Sequence, residues 1–270
     1  NNLPDCSNMC HESSGVALTE SIGIGKGTVT LDDFNSADLI IVVGQNPGTN
    51  HPRMLTALRD AKKKGASIIS INPLTETGMK KFKHPQNPIE MLGFGSTIAD
   101  KHLKLNINSD QALFRAFSKS VIESGNIDED FIDNYTSGYN EYKKIVLESD
   151  FNNISKITGI SLEDIVDVGE KVSKSKSTIV CWAMGITQHK NSVSTIQEIV
   201  NFLLLGGNIG KEGAGVCPVR GHSNVQGDRT VGINHKPSSA FIDNLEKSTG
   251  IRSPEIHGFD SVEAVKAMEN

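Results

Sequence analysis

Strand-like apolar runs alternate with helical patterns along this chain, and that alternation limits the available folds more than any other feature. The clearest run, Leu39–Val43, is followed by a turn at Gly44, a helical pattern over residues 52–64 and a second run, Ser67–Ile71. Consecutive parallel strands need such a crossover helix between them. The sequence therefore predicts an α/β fold with a mostly parallel sheet flanked by helices, in a Rossmann-like dinucleotide-binding topology.

Further segments extend this pattern. Residues 102–106 and 178–183 predict strands, residues 193–205 predict a helix, and the charged helical stretch over residues 128–175 is expected to cover the sheet. The periodicity weakens after Arg220, so we predict an α/β domain over residues 1–221. Residues 222–270 are predicted to open a segment of a neighbouring domain. Because the chain begins without Met and stops in a helical pattern, we expect a fragment of a larger multidomain enzyme.

Composition argues against several classes of function. The 270 residues carry 27 Lys and Arg against 32 Asp and Glu, a net charge of -5, which disfavours a nucleic-acid or membrane-binding surface. No apolar run reaches the roughly 18 to 20 residues that cross a bilayer, so we expect a soluble, cytoplasmic protein. The four scattered cysteines form no C-x-x-C pair, so an iron–sulfur or structural zinc site is not expected within the chain.

Two short polar segments at opposite ends of the chain hold the most reactive side chains. Cys10 and His11 stand near the beginning, and Arg220 and His222 follow Pro218. A thiolate binds soft metals, an imidazole exchanges protons near neutral pH, and a guanidinium offers a carboxylate two parallel hydrogen bonds. If the fold brings them together, they predict redox chemistry on a small anion. The alternatives are an ordinary thiol, a structural histidine, an arginine in a salt bridge and a passive loop histidine.

Loops that follow strands are the candidates for nucleotide binding, because helix amino termini present free N–H groups there. The loop with Gly44, Asn46 and Pro47 is the leading pyrophosphate candidate, although every such loop needs turn residues. Asn72 stands where a dinucleotide fold often places a ribose-binding carboxylate. Asp110 either caps a helix or accepts hydrogen bonds from N1 and N2 of a guanine.

A series of short motifs runs in order along nearly all of the chain, up to about Gly232. They are Cys10 with His11; Gly44-x-Asn46-Pro47 with His51; Gly185-x-Thr187-Gln188; Gly207-Asn208-Ile209-Gly210; and Pro218-Val219-Arg220-Gly221 through Asn224-Val225-Gln226-Gly227. Together they resemble the molybdopterin oxidoreductases, and most of all the formate dehydrogenase alpha-subunit branch. The combined pattern is specific, although no single motif is.

The resemblance implies a molybdenum bis(molybdopterin guanine dinucleotide) cofactor, with tungsten as the alternative metal. It implies that Cys10 is the metal ligand, that His11 accepts a proton and that Arg220 orients formate; His222 completes the predicted catalytic set. The residues expected to bind the cofactor are Gly44, Asn46, Pro47, His51, Asn72, Asp110, Gly185, Thr187, Gln188, Gly207, Asn208, Gly210, Asn224 and Gln226. The resemblance also places an iron–sulfur segment and a β-rich cofactor-binding domain outside this chain.

Two positions depart from the family pattern. His222 stands where formate dehydrogenases commonly have Gln, and Asn72-Pro73-Leu74 replaces their frequent Asp-Pro-Arg. The first leaves the identity of the small anionic substrate open, and the second weakens one dinucleotide contact. The sequence identifies no electron-transfer partner. The competing hypotheses are a nicotinamide-dependent dehydrogenase, which the missing Gly-x-Gly-x-x-Gly disfavours, and a scaffold fragment that is inactive by itself.

Overall fold

A computed structural model describes residues 10–93, 95–233, 236–254, 256 and 258–269. The chain forms two compact units. The larger unit is Ser13–Val219, and the smaller unit joins the segment that ends at Glu12 with the chain from Arg220 onward. The predicted domain boundary at residue 221 lies two residues after the end of the larger unit, and it remains a prediction.

Five parallel strands form a single sheet in the larger unit. The strands are β1 (Leu39–Val43), β2 (Ser67–Ile71), β3 (Lys101–Leu103), β4 (Thr178–Trp182) and β5 (Gly215–Pro218). Their order is β3-β2-β1-β4-β5, and every neighbouring pair is parallel. The predicted α/β class with a mostly parallel, helix-flanked sheet is confirmed.

Helices cover both faces of this sheet. In the larger unit they are α1 (Glu12–Ile22, which begins in the smaller unit), α2 (Pro47–Asn50), α3 (Pro52–Lys63), α4 (Thr77–Lys80), α5 (Pro88–Leu92), α6 (Asp110–Ser124), α7 (Glu129–Tyr135), α8 (Tyr139–Leu147), α9 (Phe151–Thr158), α10 (Leu162–Lys174), α11 (Met184–Thr187) and α12 (Ser192–Leu205). The smaller unit contains α13 (Val225–Thr230), α14 (Ser239–Thr249) and α15 (Ser261–Met268). Across the described residues, no helix combines the length and apolar character needed to span a bilayer.

The central strand β1 divides the core into two layers, because successive side chains of a strand point to opposite faces. Ile41 and Val43 belong to the layer with α6, α10 and α12, whereas Ile40 and Val42 belong to the layer with α3. All five residues of β1 are buried. A strand buried on both faces reads as a continuous apolar run, which is why β1 is clear in the sequence.

Some predicted elements differ from the structure. The third strand is Lys101–Leu103 rather than residues 102–106, and the chain beyond it turns away because the backbone N–H of Asn106 bonds to the carbonyl of Thr158 at 2.7 Å. β5 escapes sequence analysis because it is short and contains Gly215 and Pro218. Its position at the sheet edge tolerates both residues.

Candidate functional site

The strand order changes direction at β1, and this geometry defines the candidate site in the larger unit. β1 pairs with β2 on one side and with β4 on the other. The loops that follow β1 and β4 therefore leave the sheet side by side at its carboxyl edge. In open parallel sheets, this switch point is where ligands bind.

Gly44 and Gly185 bring these two loops into backbone contact. The N–H of Gly185 donates to the carbonyl of Gly44 at 3.0 Å. Gly44 has φ of +57°, and a Cβ atom at Gly185 would lie 2.6 Å from the Cα atom of Gly44. Only glycine fits this approach at either position, so both predicted glycines shape the switch point.

Gln45 is buried within the loop after β1 and contacts the residues that follow it. Its side chain is 2% exposed, and its Nε2 lies 3.2 Å from His51 Nδ1 and 3.1 Å from Met54 Sδ. Among the described residues, its buried Oε1 has no hydrogen-bond partner. His51 therefore helps to shape the loop. Gln45 lies in the predicted pyrophosphate loop but was not among the predicted site residues; its place two residues after a buried strand was the available signal.

Asn72 joins the loops that follow β1 and β2. Its Nδ2 donates to the carbonyl of Gln45 at 3.1 Å and to Asn46 Oδ1 at 2.6 Å. Pro47 is buried at the first position of α2. The Asn72 amide thus stiffens the predicted pyrophosphate loop, and its side-chain carbonyl is the group left to accept from a ribose hydroxyl.

The loop after β4 is tied to the beginning of α1. Trp182 Nε1 donates to Ser14 Oγ at 2.9 Å, and Ser13 Oγ donates to the carbonyl of Thr187 at 3.2 Å. Gln188 Nε2 donates to Thr187 Oγ1 at 3.0 Å. Thr187 and Gln188 therefore lie at the same carboxyl edge as Gly44 and Gly185.

Asp110 lies where the amino termini of α6 and α12 meet. It is the first residue of α6 rather than its cap, and Ser194 Oγ bonds to Gln111 Oε1 at 3.4 Å. Burial raises the pKa of the Asp110 carboxyl to about 6, against smaller opposing effects of its own backbone N–H and of His189. The buried Oδ1 of Asn191, just before α12, has no hydrogen-bond partner within the described parts of the chain. Two buried acceptors therefore lie at the amino termini of two helices that contact one another.

Gly207, Asn208 and Gly210, which are predicted to bind the cofactor, lie at the opposite, amino edge of the sheet from Gly44 and Gly185. Asn208 is 5% exposed, and its Oδ1 accepts from the N–H of Thr178, the first residue of β4, at 3.1 Å. The loop runs from α12 to β5, and a loop from a helix to a parallel strand ends at the amino edge. These residues have a structural role and are left out of the proposed site.

The smaller unit brings the two predicted catalytic segments together. Burial lowers the pKa of the Arg220 guanidinium, whereas the charges of Cys10 and Glu12 raise it and that of Arg229 lowers it. Cys10 is therefore within electrostatic reach of Arg220. His11 is 2% exposed. Cys10 and Arg220 thus belong to one compact unit, and the charge of the thiol acts on the guanidinium, although the two residues are far apart in the sequence.

His222, Asn224 and Gln226 follow Arg220 in one short segment of the smaller unit. His222 and Asn224 are exposed, Asn224 is the N-cap residue of α13, and Gln226 lies in the first turn. Their contacts are local, since the N–H of Gln226 donates to the carbonyl of Ser223 at 3.2 Å. Their catalytic and cofactor-binding roles remain predictions.

The larger unit is an α/β domain whose candidate ligand-binding site lies at the switch point of its sheet. Sequence comparison assigns the chain to a family. Residues 2–262 match the family described as Molybdopterin oxidoreductase. The chain belongs to this family. Membership implies a molybdopterin cofactor.

Relatives with curated names differ in how much of their function is known. The chain is 50% identical over 276 residues to an uncharacterized oxidoreductase of Mycobacterium tuberculosis strain H37Rv, covering 100% of this chain and 35% of the relative. It is 46% identical to Protein YdeP of Escherichia coli K12, covering 99% and 37%, and 31% identical to Formate dehydrogenase H of the same strain, covering 95% and 35%. The chain thus spans about a third of the length of these relatives.

A solved structure shares the fold. Acetylene hydratase from Pelobacter acetylenicus superposes with a TM-score of 0.62, covering 77% of this chain and 25% of that chain, at 22% sequence identity. At this identity the similarity shows the fold alone.

Proposed function

We propose that the whole protein is a molybdenum-dependent oxidoreductase of the formate dehydrogenase type, which oxidises formate or a related small oxyanion. The observation that carries the proposal is that Cys10 and Arg220 belong to the same compact unit, where the charge of the thiol raises the pKa of the guanidinium. Redox chemistry on such a substrate needs a ligand for the metal and a cation for the carboxylate, and Cys10 and Arg220 supply these two groups. We also propose a cytoplasmic location.

The larger unit fits one guanine dinucleotide arm of the cofactor. Gly44 and Gly185 carry no side chains of their own and join the two loops through their backbones, and a glycine backbone at a switch point allows the close approach of a pyrophosphate. Asp110 and the unpaired Asn191 Oδ1 are buried acceptors, and a guanine presents N–H donors at N1 and N2. These groups supply what a guanine would bind, so we propose Asp110 and Asn191 as its partners.

The cofactor, when bound, supplies the two-electron redox centre. Cys10 would hold the metal through its thiolate, as a soft ligand. Arg220 would orient the substrate carboxylate with paired N–H donors, which Lys does not reproduce. His11, next in sequence to Cys10 and buried, would hold the proton released from the substrate.

Electrons are proposed to leave through an iron–sulfur cluster outside this chain, to a partner that the sequence does not identify. We expect the isolated chain to be inactive, because a cofactor held by several domains loses most of its contacts when they are absent. Neither the motifs nor the comparisons point to nicotinamide, and we do not propose it.

The test uses the full-length, metal-loaded protein with formate and an artificial electron acceptor. We expect turnover with the wild type, and at least a tenfold loss of both turnover and bound molybdenum in Cys10→Ala. Cys217→Ala, which removes a thiol from the edge strand β5, is the matched control and should keep its metal. Undiminished turnover in Cys10→Ala would reject the ligand assignment. A loaded wild type that ignores formate would reject formate, while molybdenum content and oxidised-pterin fluorescence would still test the cofactor.

A further inference from the structure

An ion pair joins the two segments that form the smaller unit. Arg229 Nη2 lies 3.0 Å from Glu12 Oε2, although the residues are 217 positions apart in the sequence. Glu12 begins α1 and Arg229 lies in the last turn of α13. The side chains are 36% and 27% exposed, so the pair is partly withdrawn from water.

Glu12 acts on Arg220 as well as on Arg229. Its negative charge raises the pKa of the Arg220 guanidinium, and the positive charge of Arg229 lowers it. One carboxylate therefore lies within electrostatic reach of two guanidinium groups, and it forms its short contact with Arg229. A carboxylate beside Arg220 has the same chemistry as the anion that Arg220 is proposed to bind.

We propose that Arg229 is a positioning residue that retains the Glu12 carboxylate and prevents it from competing with a small substrate anion for Arg220. This inference rests on the proposed role of Arg220. Without Arg229, the nearest remaining cation for Glu12 among these groups is Arg220.

The test measures the binding of azide, an unreactive monoanion, to the full-length, cofactor-loaded protein by isothermal titration calorimetry. Arg229→Met is expected to weaken azide binding by about three- to fivefold, the upper part of the range that a partly exposed charge pair produces. Arg229→Lys keeps the positive charge and should bind azide within about twofold of the wild type. The double variant Glu12→Gln with Arg229→Met removes the competitor and should restore binding. The KM for formate should follow the same order, with kcat unchanged.

The outcomes separate this inference from the proposed function. Wild-type affinity in Arg229→Met, or weak binding that Glu12→Gln does not restore, would overturn the positioning role. Arg220→Met is the reference variant and should lose azide binding. If it binds azide as the wild type does, the assignment of Arg220 fails and the inference fails with it. If azide binding follows the expected order but formate is not oxidised, only the choice of formate is rejected.

Discussion

Replacing Gly185 by Ala is the most direct test of the switch point. A Cβ atom there would lie 2.6 Å from both the Cα atom and the carbonyl oxygen of Gly44, whereas ordinary contacts begin at 3.4 Å. Both obstructing atoms belong to the backbone, so no side-chain rotation relieves the clash. The loops after β1 and β4 must separate, which breaks the 3.0 Å hydrogen bond from Gly185 to Gly44.

The expected loss of stability follows from these two terms. Overpacking costs about 1 to 3 kcal/mol, and a lost hydrogen bond costs about 1 kcal/mol. We therefore expect Gly185→Ala to lower the free energy of unfolding by about 2 to 4 kcal/mol. The assay is urea denaturation of the 270-residue chain followed by fluorescence of Trp182, its single tryptophan, which is fully buried at the end of β4.

The control is the same substitution in open space. A Cβ atom at Gly15, inside α1, meets nothing within 4 Å. Gly15→Ala should stabilise the chain by about 0.5 to 1 kcal/mol, because Gly is a poor helix former. A Gly185→Ala chain within 0.5 kcal/mol of the wild type would show that the two loops do not touch as described.

Other predictions follow from the polar groups. The pKa of Asp110 is 3.8 when unperturbed and about 6 when folded, so its contribution to stability is present near pH 4 and is lost as pH rises through 6. The free energy of unfolding of Asp110→Asn, relative to that of the wild type, should therefore rise by about 2 to 3 kcal/mol from pH 4 to pH 7. Stability curves of the two proteins that run parallel over this range would contradict the prediction. Arg115→Met removes the 2.6 Å ion pair of Glu198, which is 3% exposed. The substitution should lower the free energy of unfolding, measured by urea denaturation, by about 1 to 3 kcal/mol, and a loss below about 0.5 kcal/mol would contradict this. Asn208→Ala should lower the free energy of unfolding by about 1 to 2 kcal/mol and leave the molybdenum content of the full-length protein unchanged. Asn191→Ala should lower the molybdenum content with little loss of stability. The reverse pattern would reject our assignment of the two edges.

Continuous apolar runs made much of the sheet predictable. β1 and β2 have the predicted bounds, and β4 ends one residue before the predicted position. The strand order β3-β2-β1-β4-β5 agrees with the Rossmann-like topology predicted from the sequence. β5 contains Gly215 and Pro218, which weaken any local strand signal.

Because β5 was not predicted, the loop with Gly207 and Gly210 was grouped with the cofactor-binding loops. Gly207 and Gly210 match the family motif, but a motif does not say at which edge of a sheet it lies. Recognising β5 would have identified their segment as a helix-to-strand loop, and therefore as part of the amino edge. The ion pair of Glu12 with Arg229 has no local signal at all, because the two residues are 217 positions apart.

The two edges of the sheet differ in how their buried polar groups are satisfied. At the amino edge, the buried Asn208 Oδ1 accepts from the N–H of Thr178 at 3.1 Å. At the carboxyl edge, Gln45 Oε1 and Asn191 Oδ1 are buried without a partner among the described residues. Each unpaired acceptor costs about 1 to 3 kcal/mol. Native structures rarely keep such groups without a functional reason, and a ligand with N–H or O–H donors at the carboxyl edge would recover this free energy. The asymmetry thus supports cofactor binding at the switch point independently of the family motifs.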